Sequence, residues 1–219
     1  SGEVLITLVS SHNNLPGLET LANQWMQRWP EVVGVSLNIQ PIASNVVLGP
    51  ETHQVAGRSW LLERFAGQEL HIAADTFFQV NTAQAERVVP LLTAFFSETP
   101  GTQVLEAYSG IGTFSLPLAA AGLDVLGLEL HPGSVQQARS NAERNGLTNV
   151  RFVEGDVVET TRRETEFPEV VVVDPPRAGL HPKLVEPLAL VPARRMVYVS
   201  CKHSSAARDL AALRPYGWR

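Results

Sequence analysis

Apolar positions along the chain follow two successive patterns. Residues 4–9 and Val32–Ile39 are apolar runs of strand length. Between them Leu18, Leu21, Ala22, Trp25 and Trp29 recur at helical spacing until Pro30 stops the pattern, which predicts a helix over residues 15–29. From Asn45 to Val80, short strand candidates are punctuated by Gly49-Pro50, Gly57 and Gly67. Asn81 is placed to cap a helix over Thr82–Phe96, ended by Pro100-Gly101. From Gln103 onward strands and helices alternate. Strands are predicted over 103–106, Asp124–Glu129, Val150–Glu154, 169–174 and 195–200, and helices over 113–121, 134–145, Pro182–Leu190 and 205–213. Val170–Val173 is apolar on both faces, as a strand inside a parallel sheet must be. Repeated βα units with short connections predict an α/β fold. Residues 81–219 form a doubly wound, Rossmann-like parallel sheet, and residues 1–80 a smaller N-terminal α/β lobe.

Composition narrows the setting. With 44% hydrophobic and 18% charged residues, the chain has material for real cores and is not a disordered one. No apolar run approaches the roughly 18 residues that a membrane span needs, and no basic segment precedes the first apolar stretch as in a secretory signal. One cysteine excludes intrachain disulfides, a cysteine zinc site and an iron–sulfur cluster held by this chain. A cytoplasmic setting is the default. Seventeen basic against 22 acidic residues leave a net charge of −5, so by charge alone the chain is not a nucleic-acid binder. The chain stops at Arg219 directly after a helix and a turn, and reads as a fragment.

Candidate chemistry gathers where strands end. The strand over 103–106 leads into Leu105-Glu106-Ala107-Tyr108-Ser109-Gly110-Ile111-Gly112-Thr113, a loop whose Gly110 and Gly112 let the backbone approach a ligand. An acidic residue such as Glu106 ahead of the turn repels a pyrophosphate and suits a cation, such as the ammonium of a methionine-like tail. Glu129 ends the next strand, where a carboxylate accepts hydrogen bonds from ribose hydroxyls. Together these favour S-adenosylmethionine over NAD. Asp156, after the third strand, either accepts from an adenine amino group or simply forms a turn beside Gly155.

Two further features lie at the carboxyl ends of neighbouring strands. Asp174-Pro175-Pro176-Arg177 follows four valines, so its carboxylate is delivered by a buried strand and fixed by two prolines. Val197-Tyr198-Val199-Ser200-Cys201 puts the cysteine at a strand tip beside Lys202. A lone cysteine is usually a small core residue, but a strand-tip position beside a cation and ahead of a helix is one where reactive thiols are found. His12, His53, His71, His131 and His181 lack metal-ligand spacing and read as surface or helix-end residues. Arg162-Arg163 and Arg194-Arg195 read as solvated faces rather than phosphate contacts.

These residues resemble the S-adenosylmethionine-dependent RNA uracil-5-methyltransferases, class I methyltransferases that make 5-methyluridine in rRNA or tRNA. The resemblance runs through Phe77-Phe78-Gln79-Val80-Asn81, the 108–114 loop, Asn141-Ala142 with Asn145-Gly146, and Asp174-Pro175-Pro176-Arg177-Ala178-Gly179. It continues through Tyr198-Val199-Ser200-Cys201 with Ala207-Arg208-Asp209-Leu210. It implies that Gln79, Tyr108, Glu129 and Asp174 contact the cofactor or the base, that Thr113 and Asp156 are further cofactor contacts, and that Cys201 is the nucleophile. The implied partner is an RNA whose uridine lies in a loop or is flipped out, with no membrane and no metal.

The sequence also departs from that pattern. The family's general base is a Glu beyond the final helix, past residue 219, so no base is assigned, and the expectation is addition and methyl transfer with poor product release. Neither the usual N-terminal RNA-binding barrel nor the iron–sulfur cysteines of some members occur in this sequence. Glu106 stands for the more usual Asp, Ser109 for Cys, and Lys202-His203 for Asn-Pro. An RNA cytosine-5-methyltransferase and a non-catalytic RNA-binding module with the same fold are the alternative readings. NAD-dependent oxidoreduction ranks last.

Overall fold

A computed structural model describes residues 1–42, 47–96, 102–163 and 168–218, without the side chains of Arg162 and Arg163. Asn45, the Pro100-Gly101 stop and the Arg162-Arg163 pair thus lie outside the described residues. The chain divides into two compact units, Ser1–Phe78 and Gln79–Arg219.

In the first unit, β1 (Val4–Ser10) pairs parallel to β2 (Val32–Ile39), and β2 pairs antiparallel to β3 (Glu51–Gly57). Helix α1 (Leu18–Arg28) makes the crossover from β1 to β2 and buries Ala22 against Val32 and Val35. A separate hairpin, β4 (Trp60–Phe65) and β5 (Gln68–Ala73), completes the unit. Glu3 joins the hairpin to the sheet: one oxygen accepts from Arg58 at 2.6 Å, the other from the Leu62 amide at 2.7 Å. His71 is not a surface residue. It is buried and stacks on Trp60, with ring centroids 3.5 Å apart.

The second unit opens with α2 (Thr82–Phe96), whose first turn Asn81 caps through the Gln84 amide. Its five strands are β6 (Gln103–Ala107), β7 (Asp124–Glu129), β8 (Val150–Glu154), β9 (Val170–Val173) and β10 (Arg195–Tyr198). They are all parallel, in the order β10-β9-β6-β7-β8. The chain winds outward from β6 through β7 to β8, then returns to place β9 on the other side of β6. That reversal is the switch point where open α/β sheets take ligands at their carboxyl edge.

Helices α3 (Ser115–Ala120) and α4 (Pro132–Arg144) pack on β7 and β8. Helices α5 (Val157–Arg163), α6 (Pro182–Leu190) and α7 (His203–Leu213) pack in sequence, α5 on α6 and α6 on α7. The odd-numbered positions of β6 and β9, Leu105, Ala107, Val171 and Val173, share one buried cluster with Leu184, Leu188 and Leu213. Each such side chain removed from water contributes roughly 1.5–3 kcal/mol. The even positions, Glu106 among them, point to the opposite face. Of the Arg194-Arg195 pair, Arg194 is exposed, and Arg195 is partly exposed while donating to the Phe95 carbonyl at 2.8 Å and lying over that ring.

Candidate active site

The loop after β6 is closed by backbone contacts. The Ser109 amide donates to the Leu128 carbonyl at 3.0 Å and the Gly112 amide to the Ser109 carbonyl at 2.9 Å. Tyr108, at φ 67°, is held in the left-handed region, which side chains other than glycine seldom adopt and which clusters at functional sites. A Cβ on Gly110 meets no atom within 4 Å, so this side of the loop is open to a ligand. Gly112 has φ 89°, and a Cβ there lies 3.0 Å from both Leu116 and Phe152. Gly112→Ala is therefore expected to cost roughly 2–4 kcal/mol, read as a lowered urea midpoint at unchanged slope. Thr113 is buried within the same turn.

Glu129 ends β7 and fastens this loop. Its Oε2 accepts from the Gly110 amide at 3.0 Å and its Oε1 from the His131 amide at 2.8 Å. Each oxygen keeps a further lone pair for an outside hydroxyl. Leu130, next along, is 61% exposed. His131 and His181 cap α4 and α6 by accepting, at Nδ1, from the Ser134 and Lys183 amides.

Glu106 differs from the expectation of an anion facing a cation. Its side chain is 1% exposed and accepts from Ser115 Oγ. Burial pushes its carboxyl up to about 8, the Ser115 hydrogen bond opposes this, and the nearby charges of Asp174 and Glu129 add to it. Near neutral pH it is a protonated, internal acid. Asp156 is exposed and caps α5, its Oδ1 accepting from the Val158 and Glu159 amides at 2.8 and 3.2 Å. The turn-forming alternative thus describes one of its oxygens.

Asp174 sits just past the end of β9 and receives a hydrogen bond from Gln79 Nε2 at 2.8 Å, joining residues 95 positions apart. Burial pushes the Asp174 carboxyl up to about 6, with the Gln79 hydrogen bond pulling it down. Tyr108 is half-buried, and its phenol is pushed up by burial, with the carboxylates of Asp156, Asp209 and Glu129 contributing further. Five of the sequence-derived positions, Gln79, Tyr108, Glu129, Asp156 and Asp174, therefore lie at the carboxyl edge of one sheet.

Cys201 lies at that edge too, but three residues past the end of β10 rather than at the strand tip. It is exposed, which rules out the core-residue alternative. Ser200 and Lys202 brace it on either side: the Ser200 hydroxyl donates to the Lys202 carbonyl at 3.0 Å and accepts from its amide at 3.1 Å. Lys202 is the N-cap of α7, so the thiol stands just ahead of a helix N-terminus.

Tyr198 and Asp209 act here as well, without any role expected of them from sequence. The Asp209 carboxylate, 3% exposed, accepts from the Tyr198 hydroxyl and the Leu180 amide, both at 2.6 Å. The available signal was an acid at an otherwise apolar position of a helix. Among the described residues no cluster of three or more His, Cys, Asp or Glu is arranged to hold a metal ion, and no helix is long and apolar enough to cross a membrane. A depression of about 270 Å³ lies at the opposite, amino-terminal edge, lined by Gln103, Asp124, Asn149 and Pro168 among others. It touches none of these groups.

A parallel sheet of this order, with a glycine loop after its first strand and carboxylates at the next strand ends, defines the S-adenosylmethionine-dependent methyltransferase fold. Residues 66–215 match the model of the tRNA (uracil-5-)-methyltransferase family, and the chain belongs to that family. It is 45% identical over 215 residues to an uncharacterized RNA methyltransferase of Parasynechococcus marenigrum, covering 97% of this chain and 46% of that protein. It is 44% identical over 213 residues to one from Nostoc, with the same coverage. The chain thus spans about half the length of the curated relatives it matches. Among solved structures, the tRNA (uracil-54, C5)-methyltransferase of Pyrococcus abyssi in complex with S-adenosyl-L-homocysteine superposes with a TM-score of 0.75 at 29% identity, covering 96% of this chain and 50% of that one.

Proposed function

We propose that the chain is the central and catalytic part of an RNA methyltransferase that uses S-adenosyl-L-methionine to methylate carbon 5 of a uridine in tRNA or rRNA, through a covalent adduct with Cys201. The observation that carries this reading is an exposed thiol on the loop after β10, beside the strand whose end presents the Gln79–Asp174 pair. Family membership and the complex of the Pyrococcus abyssi relative support the cofactor. The residues suit it. Gly110 leaves open space, Glu129 has free lone pairs for two hydroxyls, and Asp174 supplies a negative group near the switch point.

When bound, S-adenosylmethionine supplies an electrophilic methyl group. The work of this chain's residues lies around the pyrimidine. Carbon 5 of uracil is a weak nucleophile. The Cys201 thiolate adds to carbon 6, an S–C bond forms, and the ring's π electrons pass toward carbon 5 and the O4 carbonyl as an enolate. Gln79 and Asp174 hold base and cofactor in attack geometry, converting an encounter into a positioned reaction. After carbon 5 carries the methyl group, its proton leaves to a base, the carbon 5–carbon 6 double bond re-forms and the thiolate departs. Reaching carbon 6 requires a uridine out of its stack, so the partner is an RNA loop or a flipped nucleotide.

The test is a structured RNA carrying 5-fluorouridine, incubated with the protein and S-adenosylmethionine. Fluorine cannot leave as a proton, so the adduct accumulates. Intact mass is expected to rise by one RNA plus one methyl group. Cofactor binding without any adduct, on tRNA and rRNA fragments alike, overturns the uracil reading. Adducts formed only with 5-fluorocytidine transfer it to cytosine.

A further inference from the structure

Two loops carry the proposed chemistry, one bearing Asp174 and the other Cys201, and one buried carboxylate touches the supports of both. Asp209 Oδ2 accepts from the Leu180 amide, six residues after Asp174, and from the Tyr198 hydroxyl, three residues before Cys201. Oδ1 accepts from Arg208 Nε at 2.8 Å, and Arg208 Nη2 donates to the Ala178 carbonyl at 2.7 Å. One turn earlier on α7, Ser205 Oγ donates to the Arg177 carbonyl at 3.0 Å. Backbone groups at 177, 178 and 180 are thus all held by α7. Gly179, between them at φ 92°, passes so close that a Cβ there would collide with Asp209 and Arg208.

We infer that Asp209 is a positioning residue that locks the Asp174 loop, the end of β10 and the start of α7 into one unit, fixing where Cys201 stands relative to Asp174. The inference rests on the proposed uridine chemistry only for what the geometry is used for; the lock itself is independent of it. A charged acceptor with three donors suits this task. Such hydrogen bonds are short and stronger than neutral ones, and a buried carboxylate cannot exchange them for water without opening the structure. The parallel ladder between β9 and β10 ends at Tyr198 and Val173, with one more bond from the Val199 amide to the Val173 carbonyl at 2.8 Å, and beyond it Asp209 ties the diverging segments together. Tyr198 is held in its protonated, donating form by burial, reinforced by the Asp209 hydrogen bond.

Asp209→Asn tests the lock, because it keeps the side-chain shape but turns one acceptor into a donor. Amide hydrogen exchange on the protein is expected to accelerate by on the order of tenfold at Leu180 and Val199 together, the two amides bonded at either side of the lock, with Leu105 and Leu126 in the sheet unchanged. Acceleration at Leu180 alone, or equally throughout the sheet, overturns the inference. Tyr198→Phe removes one donor without disturbing the carboxylate, and is expected to speed exchange at Val199 while Leu180 stays protected. With 5-fluorouridine RNA, Asp209→Asn is expected to slow adduct formation at saturating RNA by about tenfold, with cofactor affinity within about twofold. If the unsubstituted protein forms no adduct, the uridine reading fails, while the exchange data still decide the lock.

Discussion

Replacing Cys201 with alanine is expected to abolish the 5-fluorouridine adduct and lower methyl transfer by roughly 10⁴-fold or more, while leaving the fold and cofactor binding intact. The size of the loss follows from the chemistry. Without a group adding at carbon 6, carbon 5 never acquires carbanion character, and positioning alone does not replace that electron supply. The selectivity follows from the structure. Cys201 is exposed, so removing Sγ opens no cavity, and the melting temperature should move by no more than about 1 °C. The turn around it is closed by Ser200 and the Lys202 backbone, and neither contact involves the thiol. Glu129, Gly110 and the Gln79–Asp174 pair are likewise untouched. Cofactor affinity measured by calorimetry should stay within about twofold. Cys201→Ser is expected to keep the turn and still fail to form the adduct. An alanine variant that methylates at an undiminished rate removes the covalent mechanism and with it the role given to this loop.

The sequence revealed its elements where local preference and tertiary packing agree. Strand β9 is four valines that only a sheet buried on both faces accommodates, and it lies where the pattern put it. Helix α5 does not stand out in the sequence pattern because Val157, Val158, Thr160 and Thr161 are β-branched and disfavour a helix. The Asp156 cap and burial of those side chains overrule that preference. Glu106 shows why charge cannot be read from composition. The residue is where a cofactor acid was expected, but its side chain turns inward to Ser115, nine positions later, and loses its proton only at alkaline pH. Nothing local announces a bond such as Asp209 to Tyr198 or Gln79 to Asp174. These partners meet only once parallel strands have been stacked, and Gln79 bonds across 95 residues.

Glu106→Gln is expected to stabilise the protein in alkali and to do nothing of the kind in acid. Glutamine keeps the volume and an acceptor for Ser115, and it cannot ionise. In the folded protein burial raises the Glu106 carboxyl from its ordinary 4.5 to about 8, so the folded state binds this proton more tightly than the unfolded chain does. Stability falls with rising pH wherever the native state holds more protons. The contribution of the protonated acid is therefore complete below about 4.5 and is lost progressively as pH rises toward 8. Each pH unit inside that window is worth at most about 1.4 kcal/mol, so on the order of 4 kcal/mol separates its ends. Asp174 acts in the same direction between 3.8 and about 6, again through burial, so its share is exhausted before neutrality. Above pH 7 the remaining slope from this pair is that of Glu106. Urea midpoints of the two proteins at pH 5, 7 and 8 read it directly: the gap favouring the Gln variant should widen by about 1 kcal/mol between pH 7 and 8. A gap that stays constant with pH means that Glu106 is ionised throughout, and that the negative group expected at the head of the loop from sequence exists after all.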